Sequence, residues 1–494
     1  SMCGAGLELG MHTLLNNYTL AMSRSDATSR EEQAWSQSES FGFMEEPDDQ
    51  WLLRKLIHIH QLHLEADCPG ECGSPPGIAC SGRFWWQHHY EPSFSCAWER
   101  RIGKYGEGGS WICDPHKLAQ QAKHEKRCLV YSIGSAGDYS FETSVHHEIS
   151  SECEIHTFDR KGWAKYTSKA PPSFLHYHVA TIGKNAPAKP MSTVVQHLGH
   201  SAIPIDILKI KCLGCEWTTY ESWLSGHVDI RQILLKLHWQ DASKAHSLHR
   251  FFMDRGYVVF HKEFNALTCG GECVEYSYLK MDSAFGRFDT HSLGSLTLPF
   301  DSPEVSQRDC YSTHAGLGSA TSVAQLKELL RLISSQAQHP EQYRQGLASK
   351  ESFGFIEESD ERWTLRKLLH IHQMRLETCY SKACSPPGQT CGGRRWWQHH
   401  YEPSFSCTLE RRIGKYGDGG KWVCDPHKIT LDSSSETRCL VYSIGSAGDY
   451  RFETSVHDEI SADCEIHTFD RQPWSRYTKQ TPPLFMHYHK YQIG

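Results

Sequence analysis

The stretch that decides the fold is residues 128–159, which read CLVYSIGSAGDYSFETSVHHEISSECEIHTFD. Its apolar start predicts a buried strand, Gly134 and Gly137 predict a tight turn, and the rest predicts a helix and a second strand ending at Asp159. Such a unit typically opens a nucleotide-binding α/β domain, because a ligand can approach the loop backbone at the helix N-terminus. A carboxylate at the end of the second strand is placed to accept hydrogen bonds from a ribose.

The same text recurs at residues 439–470, which read CLVYSIGSAGDYRFETSVHDEISADCEIHTFD. The chain is therefore predicted to hold two copies of one unit. Copy one is assigned to residues 37–290, and copy two to residues 348–494, which end inside its third predicted strand. Residues 1–36 are predicted to form a flexible tail, and residues 291–347 a linker with one helix.

Composition excludes several classes of function. The chain has 494 residues and a formal net charge of −7, so it is long enough for several cores and has no basic field for nucleic acid. No apolar run reaches the roughly 18 residues that a membrane-spanning helix requires. The N-terminal residues also lack the charged and apolar regions of a signal peptide. We expect neither a nucleic-acid partner nor a membrane span.

The cysteine content favours an oxidising compartment. Twenty cysteines are many for an intracellular enzyme, so the secretory pathway, the Golgi lumen or the extracellular space is favoured. A cytoplasmic protein with scattered buried thiols is the alternative. The predicted disulfides join Cys96 with Cys113, Cys128 with Cys153, and Cys269 with Cys273. The pair at 128 and 153 opens neighbouring parallel strands, where the Cα distance of about 5 Å suits a bridge.

A further cysteine group precedes the first predicted sheet. Its members are Cys68, Cys72 and Cys80 in copy one and Cys379, Cys384 and Cys391 in copy two. A zinc knuckle needs ligand pairs at fixed short spacing, and the spacing differs between the copies. A disulfide loop is therefore favoured over a metal site, and no metal site is predicted anywhere in the chain.

Two blocks between the cysteines and the first strand have alternative interpretations. Residues 85–92, WWQHHYEP, are aromatic enough to indicate a packed cap on the sheet, and a pocket wall with His88 or His89 as a base is the alternative. Residues 100–109, RRIGKYGEGG, form either a plain turn or a segment that closes over the nucleotide site.

The remaining pattern of copy one defines the fold class. Strands are predicted at residues 174–182, 205–210 and 232–239, followed by a helix at 244–254. An antiparallel pair at 257–262 and 274–280 closes the unit, giving a Rossmann-like three-layer α/β sandwich. A Cys-rich N-terminal extension precedes this sandwich, and a partial repeat of the unit follows it.

The glycine pattern also bears on the ligand. Only Gly134-x-x-Gly137 is present, whereas a dinucleotide usually requires the fuller G-x-G-x-x-G to bind its pyrophosphate. A ligand without phosphates, such as S-adenosylmethionine, needs less, and the terminal hairpin suits a methyltransferase better than a dehydrogenase. Arg160, directly after Asp159, leaves an NADP-dependent oxidoreductase as the alternative.

Four segments together resemble a known family. RRIGKYGEGGSWICDP, CLVYSIGSAGDYSFE, ECEIHTFD and IDILKIKCLGCEW are similar to the animal methyltransferase-like protein twenty-four family, related to the FkbM-type S-adenosylmethionine-dependent methyltransferases. The resemblance covers residues 40–285 and part of 350–494. It implies that the cofactor-binding residues are Gly134, Ser135, Gly137, Asp138, Glu142 and Asp159. The matching positions of copy two are Gly445, Ser446, Gly448, Asp449, Glu453 and Asp470.

The chain departs from the family after the fourth predicted strand. Relatives read K-I-D-x-E-G-x-E there, whereas residues 209–216 read KIKCLGCE, so Lys211 and Leu213 replace two carboxylates and Glu216 remains. Carboxyl ends of strands carry the chemistry in open α/β sheets, so a catalytically impaired binding protein is an alternative to an O-methyltransferase acting on a small or glycan-like molecule.

Four side chains are candidates for the base that methyl transfer often requires. Glu216 and His238 are the catalytic candidates, with His176 and His178 behind them. Each has a structural alternative, since Glu216 is also placed to cap the following helix and His238 to sit in the core.

Copy two is not expected to act as an independent methyltransferase. It contains strands one to three of the unit, so residues 440–444 are expected to leave an apolar, unpaired edge. Docking on copy one, pairing with another chain, and local disorder are the three outcomes, and an association is favoured.

Overall fold

The structure, a computed structural model, describes most of both copies. The described residues are 35–46, 82–104, 106–183, 187–265, 269–282, 347–352, 358–380, 402–414, 419–432 and 439–491, with part of 50–58 and residues 285, 355 and 356. Several predictions fall outside these ranges. They concern most of the tail, the linker helix, and the cysteines at positions 68, 72, 80, 384 and 391.

Seven α-helices and nine strands of copy one have both ends within the described residues, and residues 50–58 are also helical where they are described. The helices are α1 (Trp35–Glu39), α2 (Gly82–His88), α3 (Pro115–Glu125), α4 (Ser140–Ser144), α5 (Met191–His197), α6 (Glu216–Trp223) and α7 (Ala242–Met253). The strands are β1 (Glu99–Ile102), β2 (Ser110–Cys113), β3 (Leu129–Ile133), β4 (Glu154–Asp159), β5 (Leu175–Val179), β6 (Ile205–Ile210), β7 (Ile230–His238), β8 (Tyr257–Asn265) and β9 (Cys273–Lys280).

Seven of these strands form the central sheet, in the order β5-β4-β3-β6-β7-β9-β8. All neighbours from β5 to β7 are parallel, and β9 runs antiparallel to both β7 and β8. The chain reverses its direction of travel across the sheet between β3 and β6. Ligands of open α/β sheets bind in the crevice at such a switch point, outside the carboxyl ends of the strands.

Alternating side chains of the strands fill two apolar layers, one on each face of the sheet. Val130, Ile207 and Leu234 belong to one cluster, whereas Tyr131 and Leu208 belong to the other. Helices cover both faces, as parallel sheets require, because their strands are apolar on both sides. The predicted Rossmann-like three-layer sandwich is confirmed.

The aromatic block at residues 85–92 packs as a cap. Trp85 and Trp86 are fully buried, and their rings contact Trp239 with centroids 5.6 and 5.4 Å away. His89 stacks on Trp85 and is 2% exposed. The packing interpretation is therefore confirmed, and the alternative of a pocket wall is not supported for His89.

Copy two repeats the first part of this architecture. Its helices are α8 (Leu347–Glu351), α9 (Asp360–Tyr380), α10 (Pro426–Asp432) and α11 (Arg451–Ser455), and its strands are β10 (Glu410–Ile413), β11 (Lys421–Cys424), β12 (Leu440–Ile444), β13 (Glu465–Asp470) and β14 (Met486–Lys490). The last three strands form a parallel sheet in the order β12-β13-β14.

The two copies contact each other through equivalent residues. The Arg54 guanidinium lies over the Phe94 ring of its own copy and donates a 3.0 Å hydrogen bond to the Thr408 carbonyl of copy two. Arg366 lies over the Phe405 ring and donates at 3.5 Å to the Ala97 carbonyl of copy one. Equivalent residues of the two copies therefore make equivalent contacts, as they do in an isologous dimer interface.

The predicted disulfides are confirmed. Bridges join Cys96 with Cys113, Cys128 with Cys153, and Cys269 with Cys273. The Cα atoms of the pair at 128 and 153 are 4.6 Å apart, as expected for the starts of neighbouring parallel strands. Copy two repeats the first two bridges at Cys407–Cys424 and Cys439–Cys464, and a bridge that was not predicted joins Cys212 with Cys215.

One negative finding concerns membranes. Among the described helices, none combines the length and the apolar character needed to cross a bilayer.

Candidate functional site

The glycine loop between β3 and α4 adopts a conformation that favours glycine. Gly134 and Gly137 both have φ of 83°, in the left-handed region, and Ala136 has φ of 48°. A Cβ on Gly134 would lie 2.3 Å from the Lys211 carbonyl oxygen, and one on Gly137 would lie 2.7 Å from a methyl of Thr167. Both glycines are therefore required for the loop to pack between β6 and the segment after β4.

Asp159 holds this loop in place. Its carboxylate, at the end of β4 and 3% exposed, accepts hydrogen bonds from Ser135 Oγ at 2.7 Å and from the Ala136 backbone N–H at 3.1 Å. A carboxylate has about four acceptor positions, and the Tyr177 hydroxyl also lies beside this carboxylate, so part of its acceptor capacity remains for a ligand. The ribose contact of Asp159 stays a prediction, and the loop-fixing role is one that the sequence did not reveal.

The glycine-rich turn after β1 packs against the loop. Lys104 Nζ lies 2.5 Å from Asp138 Oδ2, and a Cβ on Gly108 would collide with the same oxygen. Burial acts to raise the pKa of Asp138, but hydrogen bonds from Lys104 and Ser140 outweigh it and lower the pKa overall. The carboxylate is thus ionised and already engaged by the turn, whereas closure of residues 100–109 over the nucleotide site stays a prediction.

Glu142 lies in the interior beside the loop. It is fully buried, with Oε1 3.4 Å from Lys209 Nζ of β6, and Lys209 also lies over the Phe141 ring. Burial lowers the pKa of Lys209, and the negative charge of Glu142 opposes that shift. Glu142 Oε2 has no hydrogen-bond partner among the described residues.

Two tyrosines beside Asp159 were not predicted. Tyr139 and Tyr177 contact each other edge to face, with ring centroids 6.5 Å apart. The buried Tyr139 hydroxyl has no partner within the described part of the chain, and burial, helped by Asp159 and Glu142, raises the pKa of Tyr139 to about 12. The sequence contained one signal for these tyrosines, because both recur in copy two, as Tyr450 and Tyr488.

Copy two reproduces the loop. Gly445 and Gly448 have φ of 81° and 82°, and Asp470 accepts from Ser446 Oγ at 2.8 Å and from the Ala447 N–H at 3.1 Å. The surroundings differ between the copies. A Cβ on Gly445 would meet nothing within 4 Å, Asp449 pairs with Arg451, and burial raises the pKa of Glu453.

The two catalytic candidates contact each other. Glu216 Oε1 accepts from the His238 backbone N–H at 2.9 Å and lies 2.7 Å from His238 Nδ1, while Oε2 accepts from the Gly214 N–H at 2.8 Å. The carboxylate is fully buried, so it both fixes the turn before α6 and orients the imidazole at the end of β7. With Nδ1–H donating to Glu216, Nε2 is an acceptor, and it has no partner among the described residues.

The positions that hold carboxylates in the resembling family have other roles here. Lys211 Nζ donates to the Gly109 carbonyl and to Glu275, both at 2.9 Å, and so links β6 to the glycine-rich turn and to β9. Leu213 is 86% exposed at the tip of the turn closed by Cys212 and Cys215.

His176 and His178 do not join the pair formed by Glu216 and His238. They lie on β5 at one side of the sheet, whereas β7 is separated from β5 by β4, β3 and β6. His178 Nε2 is 2.9 Å from His156 Nδ1, and the His176 ring stacks on His156. Strand order therefore places these two histidines apart from Glu216 and His238, and their lower-ranked candidacy as a base stays a prediction.

Comparisons with known proteins identify a related family. A family model described as "Methyltransferase domain" matches residues 34–280 and 346–494. Among solved structures, the chain is similar to M. capricolum TrmK in complex with the natural cofactor product S-adenosyl-homocysteine, at 13% identity and a TM-score of 0.24, covering 46% of this chain and 88% of that chain. No curated protein matches the sequence.

Proposed function

We propose that copy one is an S-adenosylmethionine-dependent methyltransferase, because the chain belongs to the family of methyltransferase domains. The observation that carries the proposal is the glycine loop at the switch point of the sheet, held by Asp159 at the end of the neighbouring strand. The motifs of residues 100–159 and 205–217 further support a place near the methyltransferase-like protein twenty-four group.

The residues around the loop fit such a cofactor. The Tyr139 hydroxyl and Glu142 Oε2 are buried polar atoms without partners in the described residues, and such atoms are costly unless a ligand or water satisfies them. Asp159 keeps acceptor capacity for a ribose, and Gly134 and Gly137 keep the loop backbone close to it. When bound, S-adenosylmethionine supplies an electrophilic methyl group on a sulfonium.

The pair formed by Glu216 and His238 supports O-methylation. Glu216 holds the imidazole through Nδ1, which leaves Nε2 to accept the proton of an acceptor hydroxyl. His238 is the last residue of β7, and Glu216 is the first residue of α6, shortly after β6. Both therefore lie at the edge of the sheet that also carries the glycine loop. We infer that the acceptor is a hydroxyl of a small or glycan-like molecule.

One observation favours a second candidate function. Lys211 is engaged with Gly109 and Glu275 where the resembling family has a carboxylate, so a copy that binds the cofactor without turnover is the alternative. The hypothesis of an NADP-dependent oxidoreductase rests on Arg160 alone, and Arg160 is exposed. We therefore rank the binding protein second and the oxidoreductase third.

We also propose a lumenal or extracellular location. Six disulfides lie within the described residues, and bridges persist in oxidising compartments. Alkylation of the protein without reduction, followed by mass spectrometry, tests this. Full modification of the twelve bridged cysteines in protein from its native compartment would indicate the cytoplasm.

Two measurements on the whole chain test the function. Isothermal titration calorimetry with S-adenosylmethionine, S-adenosylhomocysteine and NADP(H) should show binding of the first two and none of the third. Transfer of a labelled methyl group to a hydroxyl-containing fraction of a cell extract then separates the enzyme from the binding protein. Binding of NADP(H) alone would refute the proposal.

The base is tested by replacing His238 with glutamine. We expect His238→Gln to lower kcat by a factor of about 10²–10⁴, the usual contribution of general base catalysis, with unchanged affinity for S-adenosylmethionine. His147→Gln, an exposed histidine after α4, is the control and should retain full activity. Equal kcat values for the two variants would exclude His238 as the base.

A further inference from the structure

A cluster of histidines and one glutamate lies on the sheet away from the cofactor loop. Glu154 is the first residue of β4 and Asp159 is the last, so the cluster lies about 16 Å along the strand from the loop. His156 follows on the same face of β4, and His200 enters from the turn after α5.

The ligand atoms of three residues converge on one point. Glu154 Oε1 is 2.8 Å from His156 Nε2 and 3.2 Å from His200 Nε2, and the three atoms all lie within 4.8 Å of one another. Zinc holds nitrogen and oxygen ligands at about 2.0–2.2 Å, which places neighbouring ligand atoms roughly 3.3 Å apart in a tetrahedral site. Small side-chain movements would therefore place these three atoms at three of the four ligand positions of such a site.

In both imidazoles the second ring nitrogen, Nδ1, already has a hydrogen-bond partner. His200 Nδ1 is 2.7 Å from the Tyr131 hydroxyl, and His156 Nδ1 is 2.9 Å from His178 Nε2. Metal-binding histidines almost always use the second ring nitrogen in this way, which fixes the ring and its tautomer. Here both contacts direct Nε2 toward Glu154.

Exposure also suits a metal site with access to solvent. The side chains of His156 and His200 are 5% and 7% exposed, whereas that of Glu154 is 48% exposed. The two imidazoles are thus rigidly packed, and the carboxylate side remains open for the ion to enter and for water to complete its shell.

Copy two contains a related cluster. His467 Nε2 is 3.0 Å from Glu465 Oε1, its Nδ1 is 2.8 Å from His489 Nε2, and the third ligand is His487 instead of a counterpart of His200. Glu465 and His487 are exposed, so this cluster is less enclosed. In the part of the chain that the structure describes, two other groups with metal-ligand character contain disulfide-bonded cysteines, which are not available as ligands in that state.

We propose that Glu154, His156 and His200 bind a divalent transition-metal ion, with Zn²⁺ the best match. Two imidazoles and one carboxylate suit zinc, whereas Mg²⁺ and Ca²⁺ prefer oxygen ligands throughout. The ion joins β4 to the turn after α5 and lies away from the cofactor edge of the sheet. The cluster in copy two is a second, weaker site.

Calorimetry with ZnCl₂ tests the proposal on the full chain after treatment with a chelator and dialysis. The wild type should show one tight and one weaker binding event. The Glu154→Gln/His200→Gln double variant should lose the tight event, with affinity reduced at least about 100-fold, while His467→Gln removes only the weaker event. Tetrahedral Co²⁺, added in place of Zn²⁺, should give a visible absorption band that the double variant lacks.

The controls separate binding from folding. Glu152→Gln/His147→Gln changes nearby residues of the same types and should bind Zn²⁺ like the wild type. Tyr131→Phe removes only the hydrogen bond to His200 and should weaken the tight event about 10–100-fold. Identical Zn²⁺ affinity in the wild type and the double variant would overturn the proposal. If the double variant does not fold, unchanged affinity in Tyr131→Phe would overturn it instead.

Discussion

At the scale of single residues, Asp159 combines two roles that the sequence alone does not separate. Its position at the end of β4 is readable from the pattern, because a strand that follows a glycine loop ends beside it. Its hydrogen bonds to Ser135 Oγ and the Ala136 N–H are not readable, since they depend on the left-handed conformation of the loop. Replacing Asp159 therefore affects both the ligand and the loop.

The variant Asp159→Asn separates these effects better than alanine does. The amide oxygen still accepts from the Ala136 N–H, whereas the charge and one acceptor for a ribose are lost. We expect the affinity for S-adenosylmethionine to fall by about 1.5–3 kcal/mol, the contribution of a hydrogen bond to a charged acceptor. Asp470→Asn, the same change in copy two, is the matched control and should leave the affinity of copy one unchanged. Unchanged affinity in Asp159→Asn would show that the carboxylate serves the loop alone.

Tyr139 shows why part of the site was missed. A tyrosine after a glycine loop is unremarkable in sequence, and its significance comes from a buried hydroxyl beside Asp159 and Glu142 that has no partner among the described residues. The contact between Glu216 and His238 is a different case. Both residue types were candidates, but 22 positions separate them, and only the adjacency of β6 and β7 brings them together.

At the scale of elements, the apolar strands were predicted well and the polar ends of strands were not. The fourth strand was predicted at its observed bounds, Ile205–Ile210. By contrast, β8 continues to Asn265, three residues beyond its predicted end at 262. Its polar residues remain in the sheet because partners elsewhere in the chain neutralise them, as Glu91 does for Lys262 and Arg101 does for Glu263. Such pairing is invisible to a local pattern.

The disulfides differ in the elements that carry them and in their exposure to solvent, which leads to a prediction about the order in which they are reduced. Cys128 and Cys153 are 4% and 6% exposed at the start of two parallel strands, whereas Cys212 and Cys215 are half-buried in an external turn. A thiolate must reach a sulfur atom to attack it, so access controls the rate. Under limiting reductant, Cys212–Cys215 should therefore open well before Cys128–Cys153.

Differential alkylation followed by peptide mass spectrometry measures this order. Cys439–Cys464 repeats the geometry of Cys128–Cys153 in copy two with a less buried Cys439, so comparing these two bridges tests the effect of access at matched geometry. Simultaneous labelling of Cys128 and Cys212 would contradict the prediction.

At the scale of the whole molecule, the same short sequence occurs in two different environments. The strand LVYSI is buried at all five positions in β3, where β6 pairs with it and a helical layer covers it. In β12 the same residues alternate, and the side chains of Leu440, Tyr442 and Ile444 are 53%, 63% and 64% exposed. Docking on copy one was one of the expected outcomes, and the copies do contact each other, but through Arg54 and Arg366 instead of β12.

This exposed strand leads to a prediction of self-association. Within the described residues, no strand pairs with the outer edge of β12, so its backbone groups and its apolar face are available to a second chain. We expect the 494-residue chain to associate as its concentration rises, as measured by sedimentation velocity or by light scattering after gel filtration. Tyr442→Lys should shift the chain toward the monomer, because a lysine on an edge strand opposes pairing with another edge.

Val179→Lys provides the control. Val179 is 63% exposed at the end of β5, an edge strand of the other sheet, so the same substitution adds the same charge at similar exposure without touching β12. The association should persist in Val179→Lys and weaken in Tyr442→Lys. Equal association in both variants would exclude the β12 edge as the interface, and a monomer at all concentrations would show that this edge remains unpaired in solution.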